Sequence, residues 1–320
     1  MRHIDVFNGD ADGLCALHQL RLAQPVQSEL VTGVKRDIKL LDRVAAGPHD
    51  RVTVLDISLD SNRSALMRLL DAGARVEYFD HHHAGDVPQS ANLVAHIDLA
   101  ADVCTSILVD RHLKGQHRLW AITAAFGDNL AASARALAAS EGLGDVQIEE
   151  LARLGTCLNY NGYGDNLEDL YFHPQQLYFE IKPYTNPLVF ITESSAFRKL
   201  EAGLLADTAL ADSLRSVFDD AHCAAYVLPD APWARRVSGV LANRLANEHV
   251  TRAHAVLTMN QYGDFTVSVR APLVNPQGAD VLCLKFATGG GRRGAAGINR
   301  LPASELAIFL ADFRAQFGQR

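Results

Sequence analysis

Short apolar runs alternate with helical stretches in the N-terminal part of the chain, and this alternation restricts the fold more than any other feature. HIDVF, SELVTGV, RVTVLDIS and RVEYFDHH have the composition of strands, and between them lie LCALHQLRLA, IKLLDRVA and SNRSALMRLLDAG, which have helical spacing. A helix between consecutive strands favours parallel pairing, because a parallel connection has to cross the sheet. The sequence therefore predicts an α/β fold that begins with a doubly wound, mostly parallel sheet.

The rest of the chain predicts a helical segment followed by a smaller α/β domain. Residues 105–184 are mainly helical in pattern, apart from an unusual loop NYNGYGDN at 159–166, and Pro183 and Pro187 mark a boundary. Beyond it, CAAYVLP, AHAVLTMN and FTVSVRAP predict strands, WARRVSGVLANRLANEH and SELAIFLADFRAQF predict helices, and ATGGGRRGAAG predicts a glycine-rich loop. We expect an N-terminal domain, a helical linker and a C-terminal domain, with an active-site cleft between the two domains, at 1–190, 191–220 and 221–320.

Composition narrows the class of protein. The five cysteines are scattered without a close pair, so they predict buried, reduced thiols rather than disulfides or a zinc site. The sequence shows no signal peptide and no run of roughly 18 apolar residues, so we expect a cytoplasmic location and no membrane partner. The net charge of -7 disfavours a broad footprint on duplex DNA.

Carboxylates follow the ends of several predicted strands. Asp10 and Asp12 come just after the first strand, Asp56 and Asp80 end later strands, and Asp128 lies in AAFGDN. In an open parallel sheet, ligands gather at the carboxyl ends of the strands, so these side chains are expected to converge. Any one of them alone is equally well explained as a helix cap. The set needs cations, and oxygen-rich ligands with an imidazole suit Mn²⁺ or Mg²⁺.

Six motifs, taken together, resemble those of the DHH-family phosphoesterases. DADG, VLDIS, DHH with Gly85, and GDN match the four motifs of the catalytic domain in order. TVSVRA and GGGRRGAAG resemble the substrate-binding motifs of the DHH-associated domain. The resemblance covers nearly the whole chain and implies a metal-dependent phosphoesterase with two divalent cations, Mn²⁺ most of all and Mg²⁺ as the other choice.

The resemblance also implies roles for the metal-site residues. At the position of Asn8 the resemblance implies a histidine ligand of the first ion, and an asparagine amide oxygen is a weaker metal ligand than an imidazole. The resemblance implies that Asp10 binds the first ion and that Asp56 bridges both ions. It implies that the ligands of the second ion are Asp12, His81 and Asp128.

Two further residues of the third motif are expected to act beside the ions. His82 is expected to donate a hydrogen bond to the scissile phosphate or to serve as an acid near the leaving group. Asp80 is expected to orient a neighbouring histidine, whereas His83 is interpreted as a solvated loop residue. Ser58, Cys104 and Thr105 are interpreted as packing or capping residues.

In the second domain, glycines and arginines predict a phosphate-binding or nucleotide-binding surface. Arg270 can pair with phosphate oxygens, and a glycine run allows close approach of backbone N–H groups. The expected substrate-binding residues are Ser268, Arg270, Gly289, Gly290, Gly291 and Arg292. For Lys35 and Arg36, a place in the cleft and a place in a solvated loop stay equally open.

The expected reaction is hydrolysis of very short oligonucleotides or linear dinucleotides, such as pGpG, to mononucleotides by water activated between two metal ions. The segments added in longer or membrane-bound members of the family are not found in this sequence. The alternatives are a phosphomonoesterase or polyphosphatase, a 5'-3' single-strand exonuclease, and a nucleotide-binding sensor without turnover. The expected partners are a short oligonucleotide, a dinucleotide or a small phosphoester, and a homodimer is left open.

Overall fold

The computed structural model describes residues 1–318. The chain divides between Ala202 and Gly203 into two compact units, a position inside the linker predicted at 191–220. The strands are β1 (His3–Asn8), β2 (Glu29–Gly33), β3 (Arg51–Leu55), β4 (Arg75–Asp80), β5 (Leu93–Ile97), β6 (Phe218–Asp219), β7 (Cys223–Leu228), β8 (Ala253–Met259), β9 (Phe265–Arg270), β10 (Gly289–Gly291) and β11 (Ala295–Leu301). The helices are α1 (Ala11–Ala23), α2 (Arg63–Asp71), α3 (Thr105–His112), α4 (Arg118–Gly127), α5 (Ala131–Ser140), α6 (Asp145–Gly162), α7 (Pro174–Ile181), α8 (Pro187–Glu193), α9 (Ser195–Asp212), α10 (Pro232–Glu248), α11 (Ala279–Cys283) and α12 (Leu306–Phe317).

The first unit is built on a parallel sheet in the order β2-β1-β3-β4-β5. Apolar side chains such as Val6, Val54 and Tyr78 pack on one face against α2, and α1 contacts β1 and β3. The predicted α/β class with a doubly wound parallel sheet is confirmed. In this strand order, the topological switch point lies between β1 and β3, where ligands bind outside the carboxyl ends.

Three local predictions in this unit differ from the structure. The sheet continues beyond β4 with β5, which the sequence analysis did not identify. The helix expected at IKLLDRVA is only a 3₁₀ turn at Leu40–Arg43, because side chains bind its backbone: Asn62 accepts from Leu41 N–H and Arg68 donates to Leu41 C=O, both at 3.2 Å. The expected loop at 159–166 begins inside α6, whose last turn carries four buried residues.

The second unit contains a mixed sheet in the order β10-β11-β9-β8-β7-β6. β7 and β8 are parallel, and the other neighbours are antiparallel. One apolar core joins this sheet to α11 and α12, and a second packs against α10. The glycine-rich segment predicted as a loop instead forms β10 and the start of β11, because β10 pairs with β11 and β11 pairs with β9, which gives the backbone hydrogen-bond partners that local sequence does not reveal.

Two expectations about the chain as a whole can be compared with this structure. The five cysteines are buried and free, as expected. Among the described residues, no helix is both long enough and apolar enough to cross a membrane.

Candidate metal centre

The ends of β1, β3 and β4 bring three aspartates to one edge of the first sheet. Asp10 follows β1 and caps α1, accepting hydrogen bonds from Asp12 N–H at 3.0 Å and Gly13 N–H at 3.1 Å. Asp56 follows β3 with a φ of 60°, a left-handed conformation that aspartate tolerates better than most residues. Asp80 is the last residue of β4 and is fully buried. The convergence predicted from strand ends is thus present in the first unit.

The N-terminus of α3 fixes the orientation of Asp12. Its two carboxylate oxygens accept hydrogen bonds from the backbone N–H groups of Thr105 and Ser106, each at 2.7 Å. The first N–H groups of a helix have no partner within the helix and favour a negative charge. The Thr105 hydroxyl also donates to Asp56 Oδ1 at 3.1 Å, so one residue positions two carboxylates.

His81 presents one ring nitrogen to these carboxylates. Its Nδ1 lies 2.9 Å from the carbonyl oxygen of Val103, and since a carbonyl can only accept, Nδ1 carries the proton. The other nitrogen, Nε2, can therefore act as a metal ligand. It lies 3.4 Å from Asp56, 3.9 Å from Asp12 and 4.0 Å from Asp128, measured to the nearest carboxylate oxygen.

The surroundings of these carboxylates favour a cation. Burial, reinforced by Asp12 and Asp10, raises the pKa of Asp56 well above its usual value. Burial also raises the pKa of Asp128, although the Lys35 ammonium opposes the shift. Since a bound cation stabilises the ionised carboxylates, metal binding here would release protons.

One imidazole and three carboxylates fit the donor preferences of Mn²⁺ or Mg²⁺. Two ligands of such an ion lie about 3 Å apart at right angles and about 4 Å apart on opposite sides, a range that includes the separations of 3.4, 3.9 and 4.0 Å around His81 Nε2. We define the main metal cluster as Asp12, Asp56, His81 and Asp128.

The three consecutive histidines have different surroundings. His81 is buried in the main metal cluster, and His83 is exposed. His82 lies between these extremes, with its Nδ1 donating to Asp80 Oδ1 at 2.7 Å. Burial opposes the charged form of His82, but the hydrogen bond to Asp80 and the nearby Asp56 prevail and raise its pKa. The histidine that Asp80 orients is therefore His82.

Lys35 lies directly beside Asp10. Its ammonium pairs with Asp10 Oδ2, donates to Asn159 Oδ1 at 3.2 Å and lies 3.9 Å from Asp128 Oδ1. Burial alone would raise the pKa of Asp10, but Lys35 outweighs it and the pKa falls below its usual value. Lys35 therefore belongs to the candidate metal centre and not to a solvated loop.

Asn8 lies at the same edge of the sheet. Its Nδ2 donates to the carbonyl oxygen of Lys35 at 3.4 Å. Its Oδ1 is buried and has no hydrogen-bond partner within residues 1–318. This oxygen is therefore available to a ligand, in keeping with the position that the resemblance gives it.

In the second unit, several predicted substrate-binding residues share one sheet face. Ser268 and Arg270 are two residues apart on β9, so their side chains lie on the same face of the sheet. Arg270 Nε donates to Asn243 Oδ1 at 2.8 Å. Gly290 on β10 opposes Gly297 on β11, which in turn opposes Ser268. We call Ser268, Arg270 and Gly290 the β9–β10 surface.

The glycines of β10 are there for different reasons. A Cβ at Gly289 would lie 1.7 Å from the carbonyl oxygen of Cys283, and Gly291 has a φ of 136°, so the backbone itself requires both. A Cβ at Gly290 would meet nothing within 4 Å. Arg292 is exposed in the turn that follows, where its N–H donates to Ala295 C=O at 2.8 Å. Gly290 is therefore the member of the run that leaves a sheet face open.

Several groups at the centre were not predicted from the sequence. The N–H donors of α3 and the acceptor Asn159 could be found only from tertiary contacts, although the unusual composition of NYNGYGDN is a local signal at Asn159. The structure also groups Glu77, His96 and His112 on the first unit, with His96 Nε2 3.2 Å from Glu77 Oε1. This second group is more exposed than the main metal cluster.

Comparisons with known proteins identify the fold. No protein-family model and no curated protein matches the sequence. A crystal structure of exonuclease RecJ bound to manganese is 18% identical, with 98% of this chain and 89% of that one covered and a TM-score of 0.62. RecJ from Thermus thermophilus in complex with Mn²⁺ is 19% identical, with 98% of this chain but 51% of that one covered and a TM-score of 0.63. The pGpG-specific phosphodiesterase PggH from Vibrio cholerae is 10% identical, with 98% and 99% covered and a TM-score of 0.50. The chain therefore has the fold of these proteins, and the resemblance to the DHH family is confirmed at the level of the fold.

Proposed function

We propose that this protein is a metal-dependent phosphodiesterase that hydrolyses very short oligonucleotides or linear dinucleotides to mononucleotides. The observation that carries the proposal is the main metal cluster at the switch point of a DHH-type sheet, with His82 beside it. A divalent cation held there would polarise a phosphoryl oxygen and lower the pKa of a bound water. Mn²⁺ is the first choice, since the two RecJ structures are described with manganese.

Other side chains around the ion would position its ligands and donate to the phosphate. Thr105 and Ser106 hold Asp12 in place, and Thr105 also holds Asp56, so the carboxylates need little reorganisation. The hydrogen bond from His82 Nδ1 to Asp80 holds the imidazole beside the ion and helps to raise its pKa, which favours His82 as a donor to a nonbridging phosphate oxygen or to the leaving group. No protein nucleophile is needed for this reaction.

The β9–β10 surface is the proposed binding site for a phosphate of the substrate. Arg270 supplies a guanidinium that can make paired hydrogen bonds to phosphate. Gly290 leaves backbone groups accessible on the same face. A short substrate agrees with the net charge of -7, which disfavours long polyanions.

The proposal is tested by adding Mn²⁺ to chelator-treated protein with pGpG and measuring the release of GMP. The His81→Gln variant, which removes the imidazole ligand, is the matched inactive control. Mn²⁺-dependent release of GMP by the wild type alone is the expected result. Binding of pGpG without any GMP would favour a nucleotide-binding sensor, and release of inorganic phosphate alone would favour a phosphomonoesterase.

A single-strand exonuclease is the second candidate. Its support is specific, because the two RecJ structures have higher TM-scores than PggH. A series of single strands of increasing length separates the two candidates. The proposed enzyme loses activity as the strand lengthens, whereas an exonuclease digests long strands processively.

A further inference from the structure

Lys35 is fixed next to the position that the family resemblance gives to the first metal ion. Its ammonium contacts Asp10 and Asn159 and lies 3.9 Å from Asp128. All three partners offer the kind of oxygen that would bind a divalent cation. One of them, Asp10, is the carboxylate that the resemblance assigns to the first ion.

The surrounding chain holds Lys35 in this position. Its backbone N–H donates to Gly162 C=O at 2.8 Å, and its ammonium lies 5.4 Å from the centre of the Tyr163 ring. The side chain is only 25% exposed. Asn159, Gly162 and Tyr163 all belong to the segment NYNGYGDN, so this unusual segment has a physical role as the frame around the lysine.

An ammonium and a divalent cation repel each other strongly when they share the same oxygens. Asp10 therefore binds Lys35 or an ion, but not both in this arrangement. The main metal cluster has a different centre, since its imidazole Nε2 lies 3.4 Å from Asp56 and 3.9 Å from Asp12. Asp128 belongs to both surroundings, but Lys35 approaches its Oδ1 whereas His81 Nε2 approaches its Oδ2, so an ion can bind in the main metal cluster while Lys35 stays in place.

We propose that the Lys35 ammonium occupies the position of the first metal ion, so that the centre binds one divalent cation per chain instead of two. That ion is held by the main metal cluster, and Lys35 supplies the second positive charge next to the phosphate. The proposal deepens the proposed function, from which it takes the ion and the reaction. It replaces the pair of ions that the resemblance implies.

The test counts the Mn²⁺ ions bound per chain, by calorimetric titration and by native mass spectrometry without substrate. Electron paramagnetic resonance detects whether two Mn²⁺ ions are spin-coupled. The wild type should bind one ion with no coupled signal. Lys35→Ala removes the charge and opens space between Asp10 and Asn159, the two residues that the ammonium contacts, so it should bind two coupled ions.

Two further variants make the experiment specific. Lys35→Met removes the charge but fills the space, and it should bind one ion. Arg36→Ala should also bind one, because Arg36 pairs with Asp165 at 3.5 Å and not with the cluster. Lys35→Ser gives the same test as the alanine variant if that protein does not fold.

Two coupled ions in the wild type would overturn the proposal, and so would a single ion in both small variants. These results are independent of hydrolysis, so they are distinct from a failure of the proposed function. A protein that binds one ion but does not cleave pGpG would refute only the function. A protein that cleaves pGpG with two bound ions would refute only the role of Lys35.

Discussion

The hydrogen bond between Asp80 and His82 allows a quantitative prediction for the Asp80→Asn variant. Asp80 is fully buried and accepts from His82 Nδ1 at 2.7 Å. Asparagine can still accept this hydrogen bond through its amide oxygen, so the substitution removes the charge but keeps the contact with His82; its amide NH2 then loses the weaker hydrogen bond that Leu59 N–H donates to Asp80 Oδ2 at 3.4 Å. A hydrogen bond to a charged group contributes about 1.5–3 kcal/mol.

Exposure of the partner reduces this magnitude. The His82 side chain is 42% exposed, so solvent screens part of the interaction. A loss of about 1–2 kcal/mol is therefore expected, which corresponds to a decrease in kcat/KM of roughly fivefold to thirtyfold.

Asp80→Asn should also change the pH dependence of kcat/KM. Asp80 contributes to the raised pKa of His82, so the variant should have a lower His82 pKa. If protonated His82 is the active form, activity is lost as the pH rises through that pKa. The decline of kcat/KM at high pH should thus begin at a lower pH in Asp80→Asn than in the wild type.

The assay is the release of GMP from pGpG with saturating Mn²⁺ across the pH range. His83→Ala, at the exposed neighbouring residue, is the control and should keep the wild-type profile. An Asp80→Asn profile that matches the wild type in height and in its alkaline limb would refute the role given to this pair.

Three other predictions follow from the proposed function. Asp56→Asn is chosen over alanine because asparagine tolerates the φ of 60°. It should lower kcat to below about one-hundredth of the wild-type value, and the thermal melting temperature of the metal-free protein should not fall. Near-normal turnover at saturating Mn²⁺ would remove Asp56 from the mechanism. Arg270→Ala should lower kcat/KM on pGpG by roughly tenfold to a hundredfold but leave cleavage of bis-p-nitrophenyl phosphate near normal, because this small ester has no second phosphate for Arg270 to bind. Equal losses of activity on both substrates would mean that Arg270 acts through the stability of the fold or at the metal centre, and not by binding a second phosphate. With labelled single strands, the rate should fall sharply beyond a few nucleotides, and processive digestion of a long strand would contradict the proposed substrate class.

Much of the candidate metal centre could be predicted because sheet topology determines it. Asp10, Asp56 and Asp80 each follow a strand, and the carboxyl ends of parallel strands meet at one edge whatever the sequence distance between them. The period of apolar residues predicted those strands, and the motif order pointed to His81 and Asp128.

The groups that support the centre could not be predicted in this way. Lys35 and Asn159 meet across 124 positions of sequence, and the N–H groups of Thr105 and Ser106 reach Asp12 from a different helix. No local sequence pattern distinguishes a lysine whose ammonium pairs with a buried carboxylate, as Lys35 does with Asp10, from a lysine in a solvated loop.

Local propensity also failed where tertiary contacts decide the backbone. The glycines of β10 disfavour a strand by themselves, yet pairing with β11 makes them one. The helix expected around Leu40 and Leu41 is replaced by a 3₁₀ turn, because both leucines are buried and side chains from Asn62 and Arg68 bind the backbone.

The position of a bound Mn²⁺ ion would show whether the main metal cluster is the metal centre. Crystals of the full chain grown with Mn²⁺ would give an anomalous difference peak at the manganese absorption edge. We predict a peak within about 2.2 Å of His81 Nε2 and of carboxylate oxygens from Asp12, Asp56 and Asp128. A map with no peak at this cluster, or with a peak only at the Glu77, His96 and His112 group, would contradict metal binding by the main metal cluster.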